Sequence, residues 1–145
     1  MKKVLIIFLF LLFACNADDN NNPNCNFLID AGVNITVNTN FPQFNQLQFP
    51  GNGVYVPNQG IGGVWLWRLN SSTLYAWDAA DPSHPWSSCS TLEETGNGDI
   101  VSCTCDDGNQ YSLATGQGFG ENTQPCTLQL YRVDDTGNNT FLVSN

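Results

Sequence analysis

The chain has 145 residues and a formal net charge of −9, with 13 acidic residues against four basic ones. This length suits a single small domain with a modest hydrophobic core. Because so few cations cannot neutralise a run of phosphates, the composition excludes nucleic-acid binding.

The N-terminus has the pattern of an export signal. Met1–Lys3 is positively charged, and residues 4–13 form an apolar run that is too short to span a bilayer. The segment Leu12–Cys15 resembles the lipobox of bacterial lipoproteins, which implies cleavage before Cys15 and diacylation of that residue. We therefore expect residues 1–14 to be a signal peptide. The alternative is an ordinary signal peptide followed by a coincidental cysteine.

Residues 15–26 are polar and rich in asparagine, and such a segment cannot bury enough apolar surface to fold by itself. We expect a linker between the lipid and the domain. Asn16 argues against inner-membrane retention, and Asp18–Asp19 is similar to the export signals of surface lipoproteins in the Bacteroidetes group, although a plain solvated linker is equally simple. Loss of the two N-terminal lysines would leave a net charge of −11, so the lipid alone must hold the protein to a membrane. These features predict a cell-envelope lipoprotein, at the outer membrane or on the cell surface.

Residues 27–145 contain short strand patterns separated by turns, without a sustained helical period. Alternation over residues 33–37 predicts a half-buried strand, and residues 41–47 predict one helical turn with Phe41, Phe44 and Leu47 facing inward. The clearest hairpin joins residues 64–69 to residues 73–77, and its aromatic content predicts a central place in the core. Further strands are predicted at residues 54–56, 100–102, 111–113, 128–133 and 140–143, with turns at 93–99 and 134–139. About eight short strands predict an all-β, antiparallel sandwich or barrel.

Two loops between these strands contain most of the side chains that could perform chemistry. The loop at residues 81–89 holds Asp81, the only histidine of the chain, His84, and Cys89. The loop at residues 103–111 holds Cys103, Cys105, Asp106 and Asp107. These residue types bind metals or form disulfides, and loops on a rigid scaffold are the usual place for functional sites.

The second loop resembles a motif of a known family. Residues 103–116, Cys-Thr-Cys-Asp-Asp-Gly-Asn-Gln-Tyr-Ser-Leu-Ala-Thr-Gly, are similar to the second box of Rieske iron–sulfur domains. Residues 75–80 resemble the strand before the first box of that family, and residues 124–133 resemble its closing hairpin. The resemblance covers residues 35–143 and implies a Rieske-like β fold with two site loops at one end. The lipoprotein signal suggests the branch of the family that is found in bacterial envelopes.

Rieske domains hold a [2Fe–2S] cluster through one cysteine and one histidine from each box. At these positions His84 and Cys103 are retained, whereas Asp81 replaces the first cysteine and Asp106 replaces the second histidine. Asp107 stands where the family has a glycine. Carboxylate is a hard ligand that suits the thiolate-bound iron poorly, and one histidine cannot complete the iron that takes two imidazoles. We therefore expect no cluster.

The family also implies a pairing of cysteines. In many Rieske proteins a disulfide joins the two loops, and Cys89 and Cys105 occupy the corresponding positions. Cys25 and Cys126 are a second candidate pair, which leaves Cys103 as a free thiol. Export from the cytoplasm permits such bonds.

These observations predict a lipid-anchored Rieske-like domain without a cluster, acting as a binding or structural module for an unidentified protein partner. The alternative is an electron carrier with atypical [2Fe–2S] ligands. A mononuclear zinc or iron site formed by Asp81, His84, Cys103 and Asp106 is a further alternative. No enzyme is expected, because the pair of Cys103 and His84 lacks an evident orienting group or oxyanion hole. Trp86 is expected at the surface, where it could serve an interface.

Overall fold

A computed structural model describes residues 25–120, 123 and 125–145. The signal peptide, Cys15 and most of the linker lie outside the described residues, so the lipid anchor remains a prediction. Among the described residues, no helix has both the length and the apolar character that a membrane crossing requires.

The described residues form ten strands in three antiparallel sheets, which confirms the predicted all-β class. The strands are β1 (Asn34–Asn38), β2 (Asn52–Val56), β3 (Val64–Arg68), β4 (Leu74–Asp78), β5 (Leu92–Glu94), β6 (Ile100–Cys103), β7 (Gln110–Ser112), β8 (Gly118–Phe119), β9 (Arg132–Gly137) and β10 (Thr140–Ser144). The first sheet has the order β1-β10-β9, the second β2-β3-β4 and the third β5-β6-β7-β8. Short 3-10 helices cover Pro42–Gln48 and Ser88–Ser90.

The central strand of the second sheet, β3, is buried on both faces. Val64 and Leu66 of β3 belong to a core shared with β1 and β10, whereas Trp65 and Trp67 belong to a core shared with the third sheet. Successive side chains of a strand point to opposite faces, so this division places the second sheet between the two cores. All five residues of β3 are buried, as in a strand that is covered on both sides.

The 3-10 helix at Pro42–Gln48 closes the first core. Phe44 and Leu47 are buried as predicted, but Phe41 is 54% exposed and the expectation that it packs inward is wrong. Phe41 precedes the first helical turn in an extended conformation, with φ −80° and ψ 144°. Its side chain therefore does not share the helix face that holds the other two residues.

Two turn predictions need correction. The segment predicted as a turn at residues 93–99 begins inside β5, which pairs with β6 through Glu93 and Glu94. The closing turn is shorter than predicted, because β9 extends to Gly137 and only Asn138 and Asn139 turn the chain. Both asparagines have positive φ, of 53° and 58°, which suits a two-residue hairpin loop and which asparagine tolerates.

The third sheet brings the two site loops together. Leu92, the first residue of β5, pairs with Cys103, the last residue of β6. The end of the first loop and the start of the second therefore lie side by side.

Candidate functional site

The two loops form one unit at the end of the third sheet. The backbone N–H and the hydroxyl of Thr104 both donate to the carbonyl oxygen of Cys89, at 3.1 and 2.9 Å. A disulfide between Cys89 and Cys105 joins the loops covalently. The loops enclose an open cleft of about 470 Å³, which is lined by His84, Cys89, Thr104, Cys105, Asp106 and Asp107.

A second disulfide lies away from the cleft. It joins Cys25 to Cys126, so the structure contains the pair that the family resemblance implied, Cys89 with Cys105, and also the second candidate pair. Within the described residues Cys103 is the free cysteine.

Asp81 links the first loop to the second and to β7. Its side chain is 0% exposed, and one carboxylate oxygen accepts hydrogen bonds from the Ser83 backbone N–H at 2.8 Å, the Ser83 hydroxyl at 2.7 Å and the Tyr111 hydroxyl at 2.7 Å. Its other oxygen accepts a hydrogen bond from Asn109 Nδ2 at 3.0 Å. Burial by itself raises the pKa of Asp81, but these hydrogen bonds outweigh burial and hold the pKa below its ordinary value. Asp81 is therefore an anion held by four hydrogen bonds, three on one oxygen and one on the other.

The Tyr111 hydroxyl remains a donor to this anion. Burial and the neighbouring charge of Asp81 both raise the pKa of Tyr111. The phenol accordingly keeps its proton at all ordinary pH values.

A second buried carboxylate fixes the base of the first loop. Asp78, at the end of β4, accepts backbone hydrogen bonds from Ile61, Gly62 and Ala80 and a hydrogen bond from the Tyr131 hydroxyl. No local pattern indicates this role of Asp78, because Ile61, Gly62 and Tyr131 lie 16 or more positions away in the sequence.

His84 faces the other polar groups of the site. Its Nδ1 lies 3.1 Å from the Pro85 carbonyl oxygen, which only accepts, so Nδ1 carries a proton. Its Nε2 lies 3.5 Å from Cys103 Sγ, 3.5 Å from Asp81 Oδ2 and 3.4 Å from Asp107 Oδ2. In the neutral ring, Nε2 is therefore the nitrogen with the free lone pair.

Cys103 is 3% exposed, and its thiol donates to the carbonyl oxygen of Cys89 at 3.6 Å. Burial raises the pKa of Cys103 to about 12; a hydrogen bond from the Cys105 backbone N–H offsets part of this rise, and the charges of Asp81 and Asp107 add to it. The thiol is protonated at neutral pH and is a poor nucleophile in this state.

One group of side chains in the described residues has metal-ligand geometry. It consists of His84, Cys103, Cys105 and Asp107, whose donor atoms all lie within 4.8 Å of one another. Asp81 and Asp106, which the sequence analysis placed in the site, are not in this group; Asp106 is exposed at the wall of the cleft.

Asp107 is the functional candidate that sequence reasoning missed. Its carboxylate is oriented by Asn109, whose Nδ2 lies 2.8 Å from Asp107 Oδ2. The sequence analysis treated Asp107 only as the replacement of a glycine. The signal that could have found it is Asn109 two positions later, an amide close enough to hydrogen-bond the aspartate within the same turn.

The donor set does not fit a Rieske [2Fe–2S] cluster. The four sites of that cluster need two thiolates and two imidazoles. Here a carboxylate stands at position 81 and Cys105 is bonded to Cys89, so among the described residues Cys103 and His84 are the matching donors.

Comparisons with known proteins add a limited structural likeness. No protein-family model matches the chain, and no curated protein matches it significantly. A nitrite reductase small subunit from Mycobacterium tuberculosis, described as NADH-dependent, is 21% identical with a TM-score of 0.44, over 80% of this chain and 97% of that one. The small subunit of an NADPH nitrite reductase is 24% identical with a TM-score of 0.38, over 68% of this chain and 92% of that one. At these sequence identities and TM-scores, the structural likeness supports no conclusion about function.

Proposed function

We propose that the chain is a Rieske-like domain that forms no Rieske cluster and acts as a binding or structural module in the cell envelope, anchored by a lipid on Cys15. The observation that best supports the proposal is the hydrogen bonding of the Asp81 carboxylate. This residue stands at the first cysteine position of the resemblance, and its carboxylate is committed to hydrogen bonds with Ser83, Asn109 and Tyr111.

The hydrogen bonds of Asp81 connect the two loops, as a bound cluster would connect them. Hydrogen bonds to a charged group contribute roughly 1.5–3 kcal/mol each, about twice the value for neutral pairs. Together with the disulfide between Cys89 and Cys105, they join the loops without any metal. Because these bonds hold the two loops together without a cluster, they support a structural or binding role.

Trp86 supports a protein partner at this end of the domain. Its side chain is 52% exposed on the first loop, two positions after His84, whereas Trp65, Trp67 and Trp77 are buried. Exposed tryptophan is enriched at the centres of protein interfaces, because it combines a large apolar area with few rotatable bonds. The face around Trp86 is therefore where we place the partner.

The alternative function is electron transfer with atypical ligands. It is supported by the retained pair of His84 and Cys103, whose Nε2 and Sγ atoms are 3.5 Å apart. These are two of the four ligands that a Rieske cluster takes.

Iron and sulfide analysis tests the proposal. The full chain is expressed in a host that assembles iron–sulfur clusters and is purified in mild detergent. We expect colourless protein without stoichiometric iron or acid-labile sulfide and without a paramagnetic signal after reduction. Brown protein with two irons and two sulfides per chain would establish the electron carrier instead.

A pair of double variants provides the matched comparison. Asp81→Cys with Asp106→His restores the ligand types at the positions that the resemblance assigns. Asp81→Cys with Asp107→His places the imidazole at the aspartate that actually faces His84. The single variants Asp106→His and Asp107→His are the controls, and we expect neither to bind a cluster, because each lacks the second thiolate that Asp81→Cys supplies.

A further inference from the structure

We propose that the loop end contains a zinc site that the disulfide between Cys89 and Cys105 closes and that reduction of this disulfide opens. The ligand atoms are His84 Nε2, Cys103 Sγ, Cys105 Sγ and Asp107 Oδ2. This inference goes beyond the proposed function, which concerns the lack of a cluster.

Two of the distances between the ligand atoms match the edges of a zinc tetrahedron. Zinc bonds of about 2.0–2.2 Å to nitrogen or oxygen and about 2.3 Å to sulfur put neighbouring ligand atoms about 3.4–3.8 Å apart. His84 Nε2 lies 3.5 Å from Cys103 Sγ and 3.4 Å from Asp107 Oδ2. Since all four ligand atoms lie within 4.8 Å of one another, no pair is wider than the tetrahedral edge by more than about 1.4 Å.

Neighbouring groups already orient two of the ligands. The proton of His84 Nδ1 points to the Pro85 carbonyl oxygen, which leaves Nε2 as the nitrogen that can bind a metal. Asn109 is 3% exposed and directs its Nδ2 at the Asp107 carboxylate oxygen at 2.8 Å. Such outer contacts are typical of metal sites, because they fix the ring orientation and the carboxylate position before the ion binds.

The disulfide controls the number of ligands. While Cys105 is bonded to Cys89, its sulfur is not a thiolate, and the site has three donors. Reduction adds the Cys105 sulfur and completes a set of two sulfurs, one nitrogen and one oxygen, which suits zinc. Both cysteines of the disulfide line the open cleft, so a small thiol can reach the bond.

Formation of the zinc site takes two steps, reduction of the disulfide and then binding of the ion. A dithiol reductant gives two electrons and two protons to the bond between Cys89 and Cys105 and is itself oxidised to a disulfide. Zinc then binds the sulfurs of Cys103 and Cys105 and displaces one proton from each, so that two protons are released per ion.

The first test compares two redox states of the unmodified chain. The full chain is purified in mild detergent without a polyhistidine tag and is titrated with zinc sulfate against a chromophoric chelator, before and after reduction with a phosphine. We expect one zinc per chain and an affinity at least about 100-fold higher after reduction, because one strong ligand is gained. Cobalt(II) as a substitute should give stronger thiolate-to-metal absorption in the reduced protein, because two sulfurs bind the ion there and at most one binds it in the oxidised protein. Equal affinities in the two states would overturn the inference.

Two cysteine variants distinguish the loss of the proposed ligand Cys105 from the loss of the disulfide. Both Cys89→Ser and Cys105→Ser break the loop disulfide, but only Cys105→Ser removes a proposed ligand. Kept under argon without reductant, Cys89→Ser should bind zinc as tightly as the reduced wild type, whereas Cys105→Ser should bind at least about 100-fold more weakly. The near-ultraviolet circular dichroism of the buried tryptophans verifies that both variants are folded. Equal zinc binding by the two variants would contradict the ligand assignment.

The failure of this inference and the failure of the proposed function can be told apart. Colourless protein that takes up no zinc overturns the zinc site and leaves the cluster-free assignment standing, whereas protein with stoichiometric iron and sulfide overturns the cluster-free assignment.

Discussion

At the scale of single residues, Asp81 decides the character of the site. A cysteine at this position would offer one sulfur to a metal, whereas the aspartate accepts hydrogen bonds from Ser83, Asn109 and Tyr111. Burying a charge is costly unless hydrogen bonds replace its water, and here they do so on both oxygens. One substitution can therefore convert a ligand position into a structural link between loops.

This account predicts a pH-dependent cost for Asp81→Asn. The pKa of Asp81 is lower in the folded chain than in the unfolded chain, so the ionised carboxylate adds stability above the unfolded pKa of about 4. That stability is lost as the pH falls through the folded pKa. We expect the variant to lose about 2–4 kcal/mol in free energy of unfolding at pH 7, and the difference from wild type to shrink below pH of about 4.

Urea unfolding at pH 7 and at pH 3 measures this difference. Asp106→Asn is the matched control, because Asp106 is exposed on the same loop. An equal loss in the two variants at pH 7, or a difference that grows in acid, would refute the role assigned to Asp81.

At the scale of secondary-structure elements, the two disulfides act over different lengths of chain. The bond between Cys89 and Cys105 spans 16 positions and joins the two loops, whereas that between Cys25 and Cys126 spans 101 positions and ties the start of the described chain to the segment before β9. The longer loop restricts the unfolded chain more strongly.

We therefore predict an order of stabilities. Replacing both Cys89 and Cys105 by alanine should lower the free energy of unfolding by about 3 kcal/mol, and replacing both Cys25 and Cys126 by about 4.7 kcal/mol in the loop-entropy model. Removing both partners avoids new free thiols. Urea unfolding under non-reducing conditions gives both values, and a larger loss for the loop disulfide would show that native contacts outweigh the entropy of the unfolded chain.

At the scale of the whole molecule, the proposed lipid on Cys15 determines where the domain acts. The mature chain would carry two arginines against 13 acidic residues, so its charge opposes binding to an anionic membrane. We predict that Cys15→Ser moves the protein from the membrane fraction to the soluble fraction. Cell fractionation and mass spectrometry of the N-terminus measure this, with Cys103→Ser as a control that should leave the wild-type distribution unchanged. A lipid-free wild type that stays in the membrane fraction would contradict the anchor.

Local patterns in the sequence were sufficient for the class of the scaffold but not for every strand, since β8 was not predicted and the strand predicted at residues 128–133 begins only at Arg132. Alternation marked β1, aromatic runs marked β3 and β4, and the all-β class followed, because strand formation depends on side chains that repeat every two residues. The family resemblance matched both site loops and implied the disulfide between Cys89 and Cys105, which the structure contains.

The internal arrangement of the site was decided only by the tertiary structure. Asp81 meets Asn109 and Tyr111 across 28 and 30 positions of sequence, and no local pattern indicates such partners. The same limit applies to the neighbouring aspartates, since the conformation of the loop turns Asp107 towards His84 and places Asp106 in the exposed wall of the cleft. Sequence by itself determined which residue types stand on the two loops; folding determined which of them are buried and hydrogen-bonded and which remain able to bind a ligand.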